Sequence, residues 1–152
     1  MNWTPPKLKW ALRIFSPYWG AGIKVEAISK DWKYARVSLS LKRLNRNAFG
    51  THFGGSLFAM TDPFYVLLIS NILGRDYYVW DKHACIDFVK PGHGKVTAEF
   101  HINDSVIEGI LENTKNGDKY LPQFKVEVKD EDNEVVAQVE KIIYIRKKPK
   151  KK

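Results

Sequence analysis

One cysteine in 152 residues, Cys85, excludes an internal disulfide framework and fits a reducing, cytoplasmic setting. Signature loops are missing as well. No G-x-x-x-x-G-K-S/T, no G-x-G-x-x-G and no G-x-S-x-G occurs, which removes P-loop, dinucleotide-binding and nucleophile-elbow chemistry. The four histidines, His52, His83, His93 and His101, have no metal-ligand spacing, so neither a metal nor another cofactor is expected. Charges at Lys7, Lys9 and Arg13 interrupt the N-terminal segment, and no unbroken apolar run follows that would serve as a secretory signal.

What is present is a chain long enough for one domain with a substantial core, 44% hydrophobic and 13% aromatic. The net charge of +8 is unevenly spread. Residues 146–152 carry six cations, and the remaining nineteen nearly balance seventeen acids. The basic block reads as a disordered, solvated tail over 147–152, and no nucleic-acid partner is expected.

Pro5-Pro6 open an expected helix over residues 7–15, whose face Leu8, Ala11, Leu12 and Phe15 packs on the domain, and Ser16-Pro17 ends it. Residues 1–20 thus form a helical extension ahead of a domain over 21–146. Alternation then predicts strands around Ile23–Ala27 and Ala35–Leu41. A long helix over 56–73 stops at Gly74, and further strands follow over 78–89, 96–102, 124–128 and 135–145. A short helix over 106–111 precedes the fifth strand, with Ser105 and Glu108 at capping-box spacing. Antiparallel strands around one hydrophobic helix make an α+β domain. The 18-residue apolar stretch nears membrane-span length, but its central Asp62-Pro63 and the strands that follow favour a core helix and no stable membrane insertion.

That helix holds the main chemical clue. It is apolar on nearly every side except for one carboxylate, Asp62, and it opens at the pair Gly54-Gly55. A helix of this kind must be buried, and an acid inside it must be paired, hydrogen-bonded or protonated. In an apolar setting a carboxylate holds its proton more tightly, which suits a general base. The glycine pair leaves N–H groups at a helix start, where developing negative charge is stabilised. Asp62 followed by Pro63 also fits a helix cap, and Asn47 fits a turn former.

The segment Asn47-x-x-Gly50-Thr51-x-x-Gly54-Gly55, with Asp62 seven residues on, resembles the active-site segment of hotdog-fold acyl-CoA thioesterases of the phenylacetate-pathway type. Phe58-Ala-Met-Thr-Asp-Pro63, Trp80-Asp-Lys and Ile86-Asp-Phe-Val-Lys-Pro91-Gly resemble an uncharacterised branch of that superfamily. The resemblance implies a curved antiparallel sheet wrapped around one long buried helix, assembled as a homodimer or a dimer of dimers. It implies an acyl-CoA substrate at the subunit interface. Asp62 is then the base or nucleophile, the Gly54 N–H polarises the thioester carbonyl, and Asn47 orients water or substrate. Phe53, Gly55 and Phe58 would line the acyl site. Read from the residues alone, Lys90, His93 and Lys95 flank a tight turn and fit coenzyme A phosphates and a solvated hairpin tip equally well. Many relatives carry a histidine just before the glycine pair, where this chain has Phe53. His52, one position earlier, is expected to be a surface loop residue. That departure supports an alternative, a non-catalytic acyl-CoA-binding hotdog protein.

Asp81, His83, Cys85 and Asp87 alternate onto one strand face. Neighbours on such a face stand roughly 6.5–7 Å apart and cannot all meet, so a polar outer face is expected there rather than a site.

Overall fold

The computed structural model describes residues 3–149. Two short helices, α1 (Pro5–Ile14) and α2 (Ser16–Ala21), lead into β1 (Ile23–Ile28) and β2 (Tyr34–Ser40). Helices α3 (Gly54–Ala59) and α4 (Phe64–Leu73) follow, then β3 (Tyr77–Phe88), β4 (Lys95–His101) and α5 (Asp104–Thr114). Strands β5 (Lys119–Tyr120), β6 (Gln123–Lys129) and β7 (Val135–Lys147) complete the chain. All pairings are antiparallel, in the order β1-β2-β4-β6-β7-β3, with β5 also on β7.

The inward residues of the strands, among them Val37, Leu39, Phe100, Val139 and Ile143, pack on Leu57, Phe64, Leu68 and Ile69 of the central helices. Rings interlock across this layer, Phe64 with Phe100 at 4.8 Å and Tyr65 stacked on Phe124 at 4.4 Å. Burial of such apolar area is the main stabilising term.

The central helix is not continuous. Thr61 and Asp62 donate to Phe58 O and Ala59 O, bonds three residues long that tighten α3 into a turn at residues 60–63. Pro63 has no N–H to offer, and its carbonyl accepts Leu67 N–H to begin α4. The interruption falls inside Gly54–Leu73, a stretch otherwise long and apolar enough to cross a bilayer.

Three boundaries also shift. The chain breaks at Phe15, and Ser16-Pro17 begin α2 instead of ending α1, because proline is tolerated in a first turn. Helix α5 is longer than expected. Its cap is Asn103, whose Oδ1 accepts Val106 N–H at 3.0 Å, while Ser105 donates to Asn103. At the C-terminus β7 continues through Lys147, and Lys148 N–H bonds Asp76 O at 2.7 Å, so the expected tail is anchored at its start. Its last three residues, 150–152, lie outside the described residues. The N-terminal helices are part of the domain: Leu8, Leu12 and Tyr18 join the main core, and Lys9 Nζ bonds Glu26 O.

Strand β3 carries a bulge between Asp81 and His83. It separates two residues expected on one face. Asp81 lies on the half-buried side with Val79, whereas His83, Cys85 and Asp87 are exposed and Ala84 and Ile86 turn inward.

Candidate active site

The break between α3 and α4 sets Asp62 on a turn at the edge of the core, its side chain 64% exposed. Asp62 is therefore not enclosed in an apolar helix as expected. It does not cap α4 either, whose N-terminus has no side-chain cap. It faces Lys141. That lysine occupies the inward row of β7 in phase with Val139 and Ile143, and its side chain is completely buried. Its Nζ lies 2.9 Å from Asp81 Oδ1 and 3.5 Å from Asp62 Oδ1, and it donates to the Asp62 carbonyl. A buried ammonium is costly without such partners.

Burial raises the Asp81 carboxyl above the ordinary aspartate range, an effect that Lys141 opposes and the Asp62 charge reinforces. Tyr18 is pushed up by burial and then by Asp62, and its hydroxyl donates to Ala59 O at 3.3 Å. Beside this cluster opens a largely apolar cavity of about 550 Å³. Leu8, Leu12, Tyr18, Gly55, Phe58 and Asp62 are among its lining residues.

Asn47 and Gly54 line a different cavity, of about 410 Å³, with Phe49, Phe88 and Lys90. The Asn47 amide is occupied within its own loop. Its Oδ1 accepts Phe49 and Thr51 N–H, and its Nδ2 donates to Thr51 Oγ1 and His52 O. It shapes the approach to α3 as an Asx turn. Ser56 and Leu57 N–H both bond Phe53 O, which leaves the Gly54 and Gly55 N–H groups without a partner among the described residues. The Phe88 ring covers Gly54, where a Cβ would come within 2.9 Å of it, and the Phe53 ring covers Gly55 at 2.5 Å.

Lys90 is held by Asp130 at 2.7 Å and by Glu134, so it is not a free cation. His93 is exposed on its turn. His52 corrects the surface-loop expectation: it is 4% exposed, and its Nε2 lies 3.1 Å from Gly94 O. Gly92 makes room for its ring, since a Cβ there would meet His52 Cδ2 at 3.0 Å. Among the described residues no group of three or more His, Cys, Asp or Glu is placed to hold a metal.

Lys141 and Asp81 were missed as site residues. The available signal was a lysine in the apolar row of β7; Asp81 had none, because a bulge leaves no trace in the alternation.

A curved antiparallel sheet wrapped on central helices defines the hotdog fold of thioesterase-like proteins. The chain belongs to the DUF4442 family, described as a domain of unknown function, which it matches over residues 6–145. Among similar solved structures is PA5026 of Pseudomonas aeruginosa, named as a protein of unknown function and probable thioesterase. It is 19% identical, with a TM-score of 0.80, covering 94% of this chain and 96% of that one. Thioesterase HI1161 of Haemophilus influenzae is 16% identical at a TM-score of 0.69, covering 97% and 93%. The E. coli PaaI protein from the phenylacetic acid degradation operon is 13% identical at 0.59, covering 92% and 89%. No curated protein matches the sequence.

Proposed function

We propose that this chain hydrolyses acyl thioesters of coenzyme A or a carrier protein, with Asp62 as the base. The observation that carries this reading is the Asp62 carboxylate at the wall of an apolar cavity while Lys141 holds it from the core side. The acyl chain would occupy the cavity against Phe58 and Gly55. Water attacks the carbonyl carbon and gives its proton to Asp62; the C–S bond breaks, and the thiolate leaves with that proton. The products are a carboxylic acid and a free thiol. Lys141 is a positioning residue in this scheme, since it touches Asp62 and is buried from the cavity.

Negative charge developing on the carbonyl oxygen would be met by the Gly54 N–H, a type of donor worth about 3 kcal/mol in such reactions. Asp62 and Gly54 line different cavities of one chain, so the complete site takes two copies, the acid of one facing the helix start of the other. Strand β3 ends the sheet and exposes Tyr78, Trp80 and Phe88, an edge suited to pairing with its twin. Asn47 would act by holding the loop before Gly54, and Lys90 would reach a phosphate only by leaving its carboxylates. The thioesterase names of the similar structures agree with the reaction class.

Phe53 over Gly55 and the occupied Asn47 amide favour the second reading, a protein that binds acyl-CoA without cleaving it. A panel of acyl-CoAs assayed for thiol release separates the two. On the best substrate, Asp62→Asn should fold, bind, and lose on the order of 10²-fold or more in kcat. Binding with no release by the unmodified protein would establish the second reading, and wild-type turnover by Asp62→Asn would remove Asp62 from the chemistry.

A further inference from the structure

Helix α1 is apolar on two sides. Leu8 and Leu12 face the core, whereas Trp10 and Ile14, one turn apart on the opposite side, are 64% and 61% exposed. On α2, Trp19 adds a further ring that is 77% exposed. An outward helix face is ordinarily polar, and clustered exposed aromatics mark an interaction surface.

Charge within the segment that carries it has one sign. Residues 1–25 contain Lys7, Lys9, Arg13 and Lys24 and no acid; the first carboxylate is Glu26. The loop after β2 adds Lys42 and Arg43 beside Leu44, which is 98% exposed. Asn45 ties that loop to the end of α2 through Nδ2 and Ala21 O at 2.9 Å. Tryptophan and cations on the outer face of a helix whose other side is anchored match the chemistry of a lipid headgroup boundary. There indole rings settle and anionic headgroups attract lysine and arginine. A second copy of the same face is a poor occupant, because a two-fold contact would set like charges against each other.

We infer that the outer face of α1 and α2 docks on the surface of an anionic phospholipid bilayer. Trp10, Ile14 and Trp19 enter the headgroup boundary while Lys7 and Arg13 meet phosphates. The docking is peripheral, since Leu8, Leu12 and Tyr18 stay in the core. It is independent of whether the protein cleaves thioesters.

The test is co-sedimentation of the full chain with vesicles of phosphatidylcholine alone or mixed three to one with phosphatidylglycerol. Binding to the mixed vesicles should be at least tenfold tighter and should weaken in 0.5 M salt. Trp10→Ser/Trp19→Ser should lose at least tenfold, and so should Lys7→Glu/Arg13→Glu, both with unchanged circular dichroism. A chain ending at residue 148, without the terminal lysines, should bind as before. The inference is overturned if the mixed vesicles do not bind the protein, or if the shortened chain alone loses binding. It is equally overturned if the tryptophan variant changes the mass seen by light scattering, which would make this face a contact between copies.

Discussion

Lys141 and Asp81 reach each other from adjacent antiparallel strands, Nζ to Oδ1 at 2.9 Å, across a part of the sheet otherwise lined by Val79, Val139 and Ile143. A single cation thereby joins β7, β3 and the turn between the central helices.

Removing that cation should cost more than removing its whole pair. Lys141→Met leaves the partly buried Asp81 carboxylate uncompensated, a loss of about 3–5 kcal/mol by precedent for broken buried pairs. Adding Asp81→Asn should restore a good part of it. Urea unfolding of the two single variants and the double variant gives the coupling; strictly additive losses would mean that the 2.9 Å contact contributes nothing. Lys141→Met should also lower kcat more than it raises KM if Lys141 positions Asp62.

Two neighbouring glycine-dependent contacts should respond differently. Alanine at Gly92 meets Val136 Cγ1 at 2.9 Å and the buried His52 ring, and should cost about 1–3 kcal/mol through overpacking. The nearest neighbour of alanine at Gly54 is the Phe88 ring, which is 58% exposed and able to swing away. That variant should keep its melting temperature and lose turnover. Equal melting points for both would contradict the packing described.

Acidity should weaken the fold through two groups, in two successive pH windows. Burial lowers the His52 pKa below its usual 6.5, so its stabilising neutral form is present above pH 6.5 and is lost as pH falls below that value. His52→Gln should flatten the stability curve there. Glu26 is held down to about 2 from 4.5, first by Lys95 and then by Ser38, each on another strand. Its contribution is present above pH 4.5 and is lost as pH falls toward 2, and Glu26→Gln should remove that acid limb. Calorimetric melting across pH 2–8 checks both windows.

Light scattering should give about twice, or four times, the 17.6 kDa chain mass. A monomer at micromolar concentration would rule out a site shared between Asp62 and Gly54 of different copies.

Much of the fold was legible because alternation marks half-buried strands directly, as at Val96, Ala98 and Phe100. The helix break was written in Asp62-Pro63, yet the apolar run around it outweighed two residues of turn chemistry. Other features needed distant partners. His52 is buried by Gly92 and Gly94, forty residues later, and local polarity gave no sign of it. Lys141 stood visibly in an apolar row, but its two carboxylates come from a turn and a bulged strand that no periodicity brings together.

The bulge in β3 makes Lys82 the one position in the middle of that strand with no partner on β7. Were Lys82 paired in a regular ladder, His83, Cys85 and Asp87 would continue the inward row begun by Asp81, and Ala84 and Ile86 would face solvent. Deleting Lys82 closes the bulge and keeps Ala84 and Ile86 inward, whereas deleting a regularly paired residue such as Cys85 would turn the rest of the strand over. Length variation within this strand should therefore fall at the bulge, and the rest should collect in loops such as 41–50.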